Sequence, residues 1–194
     1  MVIVKMPHFN HFDLLAPFYD RFIKPSYPSK LRSLVELPTN GKLLDAGGGT
    51  GRISYQFKDN VGWIVIADSS MGMLAQAVKK GNITSVCSMS EKLPFGHESF
   101  ERIIIVDALH HVNDFITTAS ELWRVLKPGG RIVIEEPDIR TSPVKILAIL
   151  EKLALMRSHF ISPLKIKDAF DYINAEVRIE RERTTSWVVI DKQR

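Results

Sequence analysis

Several groups of residues combine types and spacings that could do chemistry. A glycine-rich stretch runs Leu43-Leu44-Asp45-Ala46-Gly47-Gly48-Gly49-Thr50-Gly51-Arg52. Glycine backbone can approach a ligand closely, and amides at the start of a following helix favour a carboxylate or phosphate. Asp68 closes the apolar run Val61–Asp68. His110 and His111 follow the run Phe100–Ala108, and an imidazole near neutral pH can take a proton from a phenol, a hydroxyl or a carbon acid. Bonding to nearby backbone is the competing use of paired histidines. Glu135 and Glu136, after a further apolar run, are a second choice of base. His8 and His11 could line a pocket from the N-terminal segment or simply lie on the surface.

These groups recur at the ends of short apolar runs, and that rhythm defines the elements expected to hold them. Lys42–Ala46, Val61–Asp68, Ile83–Met89, Phe100–Ala108 and Arg131–Glu136 read as strands, near-continuous enough in apolar residues to be buried on both faces. Between them, Gly51–Lys58, Met71–Lys80 and Asp114–Leu126 read as helices. The second can be capped by Ser69 or Ser70, and the third carries Phe115, Ala119, Leu122 and Leu126 on one face. Lys127-Pro128-Gly129-Gly130 ends the third helix in a turn where Gly129 can take a positive φ. Phe12–Val35 reads as helices broken by Pro17, Pro25 and Pro28. Val144–Phe160 and Lys165–Asn174 read as two helices split by Pro163, and Glu176–Arg183 and Thr185–Asp191 as two last strands. The alternation predicts an α/β fold, a doubly wound, mostly parallel seven-stranded sheet with helices on both faces and an antiparallel hairpin at its end.

Composition removes several classes. Hydrophobic residues at 45% and charged residues at 25% suit a folded core rather than a disordered chain. The one cysteine, Cys87, excludes an intrachain disulfide and any iron–sulfur or zinc site built from several thiolates, and on a weak third strand it reads as a buried structural thiol. No metal-ligand spacing is present. The net charge of +4 permits a nucleic-acid partner without indicating one, because no run of Lys and Arg stands out. Met1–Phe12 has no apolar stretch of the signal-peptide kind. Val144–Ile161 is interrupted by Lys145, Glu151, Lys152 and Arg157, so no membrane span is expected and the cytoplasm is the expected setting. That apolar segment could cover a small hydrophobic substrate, pack as core, or form a homodimer contact.

The spacing of the glycine turn discriminates between nucleotide ligands. A dinucleotide turn needs G-x-G-x-x-G, and counting from Gly47 puts Arg52 where its last glycine belongs. The pattern D-x-G-x-G-x-G fits without exception as Asp45, Gly47, Gly49 and Gly51. It resembles the signature of class I S-adenosylmethionine-dependent methyltransferases. Further stretches follow in that family's order: Ala67-Asp68-Ser69-Ser70-Met71-Gly72-Met73-Leu74, Leu93-Pro94-Phe95, Leu109-His110-His111-Val112 and Leu122-Trp123-Arg124-Val125-Leu126-Lys127-Pro128-Gly129-Gly130. From Lys42 to Glu136 the chain is similar to the ubiquinone and menaquinone C-methyltransferase-like branch (methyltransferase type 11), with Phe18-Tyr19-Asp20 a weaker echo of that branch's N-terminal helix.

The resemblance implies a Rossmann-like fold and S-adenosyl-L-methionine as cofactor. It implies that Tyr19 approaches the cofactor, that Gly47 and Gly49 pass its methionine part, and that Asp45 meets its amino group. Asp68 would accept from the ribose hydroxyls, Ser69 would lie along the adenine, and Asp107 and Ala108 would offer carbonyls. Met73 stands where the family often has a methionine, with a core methionine as the alternative reading. An acid usually found at the position of Met89 is missing, so Ser88, Ser90 or the Met89 backbone would have to meet the adenine edge. His110 and His111 are the candidate catalytic residues. One domain is expected over 1–194, with an N-terminal helical lid (1–40), a cofactor-binding core (41–136), a helical substrate-side insertion (137–175) and C-terminal strands (176–194). The implied activity is methyl transfer to a small-molecule O, N or C acceptor, the partner being apolar or aromatic. The alternatives are an RNA or protein methyltransferase and a non-catalytic cofactor-binding module. Two absences narrow this. No Asp/Asn-Pro-Pro-aromatic motif stands at Asp107-Ala108-Leu109-His110, and Cys87 lacks a preceding Pro.

Overall fold

Five apolar runs that lack polar alternation need cover on both faces, and the chain supplies it by crossing over between parallel strands. The computed structural model describes residues 12–13, 16–22, 27–146 and 159–194. Its strands are β1 (Thr39–Ala46), β2 (Val61–Asp68), β3 (Thr84–Cys87), β4 (Phe100–Val106), β5 (Leu126–Pro137), β6 (Ala175–Glu182) and β7 (Thr185–Lys192). They form one seven-stranded sheet in the order β3-β2-β1-β4-β5-β7-β6. The first five are parallel, and β7 is antiparallel to both β5 and β6. The predicted sheet and closing hairpin are therefore both present.

The order reverses direction at β1, between its parallel neighbours β2 and β4. In a doubly wound sheet this reversal opens a crevice at the carboxyl ends of the strands. The glycine turn leaves β1 there, and Asp68, Asp107 and Glu136 lie at the same ends of β2, β4 and β5.

Helices α2 (Pro28–Val35) and α3 (Met71–Lys79) cover one face, and α4 (Phe115–Val125) and α5 (Pro163–Asp168) cover the other; a one-turn helix, α1 (Tyr19–Phe22), precedes them. On the first face Leu31, Leu34 and Val35 pack on Leu43, Ile104 and Val133, while Leu74 and Ala77 pack on Ile64 and Ile66. On the second, Ala119, Leu122, Ile166 and Phe170 pack on Leu44, Ile103, Ile105 and Ile132. Helix starts follow the expected chemistry. Ser70 Oγ accepts from the Met73 amide at 3.1 Å, and Asp114 Oδ1 from the amides of Ile116 and Thr117 at 2.9 and 3.2 Å.

Four expectations need correction. Gly51–Lys58 is a single 3-10 turn at Ser54–Phe57, because few residues separate Gly51 from β2 and the bonds close at mixed spacing, Gly51 O to Tyr55 N but Ile53 O to Gln56 N. The second of the two expected helices starts at Pro163 rather than after it, with Ser162 as its cap, and this helix, α5, ends at Asp168 rather than at Asn174. Lys127-Pro128-Gly129-Gly130 bulges within β5, which pairs Leu126 with Phe100 and Arg131 with Arg102, and Gly129 has φ +74°. Cys87 is exposed, since β3 is an edge strand. Of Val144–Phe160, residues 142–146 begin a helix and 147–158 lie outside the described residues, as do His8 and His11.

Candidate functional site

Strand periodicity puts Asp45 on the face covered by α2, in line with Leu43 and beside Ile66 and Ile104. It is 2% exposed, and among the described residues its Oδ2 has no hydrogen-bond partner. Burial pushes its carboxyl up to about 6, opposed only in part by Ser54 and Arg52. The turn above it needs its glycines. Gly47, Gly49 and Gly51 have φ of +70°, +54° and +71°, and a Cβ on Gly48 would come within 2.5 Å of the Asp45 carboxyl carbon.

Asp68 ties the turn to α3. Its Oδ2 accepts from the Gly49 amide at 2.8 Å and its Oδ1 from the Ser70 amide at 2.7 Å. Burial raises its pKa and these two amides lower it. Ser69 beside it is exposed. Met73 is buried beneath the turn, its Sδ 3.9 Å from where a Gly49 Cβ would stand. The Ser88 amide donates to Asp68 O at 3.0 Å, and the Ser88 Oγ is buried with no partner among the described residues. Met89 is 36% exposed.

At the end of β4, Asp107 takes φ +51° and accepts from Arg52 Nη2 at 2.8 Å. The Arg52 guanidinium lies 5.9 Å from the Tyr19 ring centre, which brings Tyr19 to the turn. Burial raises the pKa of both Asp107 and Tyr19. Glu135 shares this face. Trp187 Nε1 donates to its Oε2 at 2.7 Å, and burial pushes its carboxyl up to about 7.

His110 and Glu136 lie on the opposite face. Glu136 Oε1 accepts from the amides of Ala108 and Leu109 at 3.0 and 2.7 Å, and its Oε2 stands 2.5 Å from His110 Nδ1. His110 is 4% exposed and stacks on Phe160 at 4.6 Å. His111 lies 4.0 Å from the His110 ring and meets Phe12 edge-on at 5.1 Å. Burial pushes the His111 pKa down to about 3, with His110 as the second cause.

Sequence reasoning assigned no role to three residues. Arg52 ends the quoted turn, and only tertiary structure turns it to Asp107. Asp20 takes the Thr50 hydroxyl and Lys80 Nζ, and Asp13 Oδ1 takes Ser70 Oγ at 2.6 Å and the Gly72 amide at 2.9 Å. Both acids are far in sequence from the groups they meet, and neither the quoted Phe18-Tyr19-Asp20 nor the residues around Asp13 give those partners. Among the described residues no cluster of His, Cys, Asp or Glu could hold a metal ion, and no helix is long and apolar enough to cross a membrane.

A doubly wound sheet with a glycine turn at its reversal point, an acid at the end of β2 and an antiparallel β7 between β5 and β6 has the class I, Rossmann-like methyltransferase fold. The sequence model of a methyltransferase domain matches residues 44–134, so this stretch of the chain is similar to that domain. It is similar to the demethylmenaquinone methyltransferases of Corynebacterium efficiens and Mycobacterium marinum, each 34% identical over 128 residues, 66% of this chain and 54% of the relative. The chain thus spans about half the length of the curated relatives it matches. A SAM-dependent methyltransferase from Thermotoga maritima superposes with a TM-score of 0.77 at 21% identity, over 94% of this chain and 98% of that one. The [4+2]-cyclase SpnF superposes with a TM-score of 0.76 at 14% identity, over 94% of each chain. These two likenesses concern the fold, and a fold shared with a cyclase does not by itself specify a reaction.

Proposed function

We propose that this chain is an S-adenosylmethionine-dependent methyltransferase acting in the cytoplasm on a small, planar acceptor of the quinol or phenol class. The observation that carries the reading is the buried Oδ2 of Asp45, without a partner among the described residues, beneath a turn of positive-φ glycines. An acceptor oxygen with no donor, at a pKa raised by burial, is matched by an ammonium group. When bound, the cofactor supplies an electrophilic methyl group on a sulfonium. Asp45 would hold its amino group, Asp68 its ribose hydroxyls, and Gly47 and Gly49 would admit its chain. The Ser88 hydroxyl is suited to the adenine edge that Met89 cannot serve. Ser69 would flank the adenine.

Two further features support the acceptor class. Phe160, His110, His111 and Phe12 form an aromatic wall on the other side of the β4 end, suited to a flat ring. The similar relatives are named for a demethylated menaquinone. Alignment of acceptor and methyl does most of the work in an in-line displacement. Where the acceptor must lose a proton, His110 takes it and Glu136 balances the imidazolium. His111, neutral at working pH, lines the wall. Residues 12–13 and 16–22, held to the start of α3 by Asp13 and to the glycine turn by Asp20, act as the lid.

Thermal unfolding with S-adenosylmethionine, S-adenosylhomocysteine and NAD tests the cofactor. A ligand at about 100 times its dissociation constant adds about 2.7 kcal/mol, a rise of roughly 5–10 °C for a chain of this size. A rise with the two adenosyl ligands but not NAD is expected, followed by methyl transfer to a naphthoquinol. No rise with either adenosyl ligand overturns the reading.

A further inference from the structure

Behind the glycine turn stands one arginine among acids. The Arg52 side chain is 8% exposed and donates to Asp107. Asp45 and Glu135 also feel its charge. Burying a guanidinium is costly unless its donors are used, and its planar fork matches a carboxylate in a bidentate way that lysine cannot. Asp107 engages one nitrogen of that fork in the described structure. On the same face of the sheet, Asp45 presents an acceptor oxygen that lacks a donor among the described residues. A buried cation and a buried, unpartnered anion behind one glycine turn complement a zwitterion whose ammonium and carboxylate share a carbon.

We propose that Arg52 reads the carboxylate of the cofactor's amino-acid end, while Asp45 takes the ammonium. The inference rests on the methyltransferase reading and assigns it a specificity residue. Asp107 then acts as the positioning residue that holds the fork toward the turn. Tyr19, lying over the guanidinium, screens the pair from water.

Calorimetry on the full chain with three ligands tests it: S-adenosylhomocysteine, its decarboxylated analogue 5′-(3-aminopropylthio)-5′-deoxyadenosine, and 5′-methylthioadenosine. The unmodified chain should bind the first at least about tenfold more tightly than the second, as expected for a charge-assisted bidentate pair. Arg52→Gln should erase that difference and leave methylthioadenosine affinity unchanged. Arg52→Lys, which keeps the charge and loses the fork, should retain part of the preference, and it serves as the variant if Arg52→Gln unfolds. Equal affinity of the unmodified chain for the first two ligands overturns the inference. An equal loss for all three ligands in Arg52→Gln also overturns it and makes Arg52 a structural counter-ion. Failure of the unmodified chain to bind any of the three overturns the methyltransferase reading itself.

Discussion

Replacing Asp45 by Asn should remove a pH-dependent term from the stability of the chain. The carboxyl is 2% exposed and its pKa rises from 3.8 to about 6 on folding. Two units correspond to about 3 kcal/mol. The folded state holds this proton more tightly than the unfolded chain does. The contribution is therefore fully present below about pH 4 and is lost as pH rises through about 6. Above that pH, Asp45 is a buried anion with an unpartnered oxygen. Asn carries no proton to lose, and its amide can donate to Ser54 Oγ, which already acts on this side chain. Urea unfolding between about pH 4 and pH 8, followed by tryptophan fluorescence, should show the variant gaining about 3 kcal/mol relative to the unmodified chain across that range. The difference matters rather than either curve alone, because Glu135, raised to about 7, titrates in both. S-adenosylhomocysteine affinity should weaken below about pH 6 in the unmodified chain, and be low and flat in the variant. Parallel stability curves for the two proteins would refute the reasoning.

Gly51→Ala should destabilise by about 2–4 kcal/mol, since φ is +71° and the new Cβ would lie 2.7 Å from Ile66 Cδ1; a loss below about 1 kcal/mol in urea unfolding would show that the turn relaxes. Glu136→Ala should destabilise by about 3–5 kcal/mol, because it strands two amides and His110 Nδ1 in a buried site, and Glu136→Gln by less. An unchanged melting temperature for the alanine variant would contradict that geometry. Asp68→Ala should weaken S-adenosylhomocysteine at least about tenfold by calorimetry, since it frees the Gly49 and Ser70 amides and removes the ribose acceptor; unchanged affinity would take Asp68 out of the site.

The sheet was largely legible in the sequence because its signals are local. Val61–Asp68 reads directly as β2 because a buried parallel strand needs a continuous apolar run. Asp114 and Ser70 announce their helices because a cap acts on amides two or three residues away. The glycines at 47, 49 and 51 were readable because positive φ favours glycine. Short-range geometry did not decide the rest. Gly51–Lys58 carries a helical sequence, yet the distance to β2 leaves room for only a 3-10 turn. Cys87 and Val86 read alike in sequence, and only the place of β3 at the sheet edge exposes the thiol. The ordering of the sheet determined that Arg52 meets Asp107, 55 residues on, and that Glu136 meets His110, 26 residues back. Sequence by itself thus determined the strands, the caps, the turn and the resemblance they carry. Tertiary structure alone decided which acids are buried, which is left without a donor, and which cation faces them, because burial and pairing depend on what the fold brings to the end of each strand.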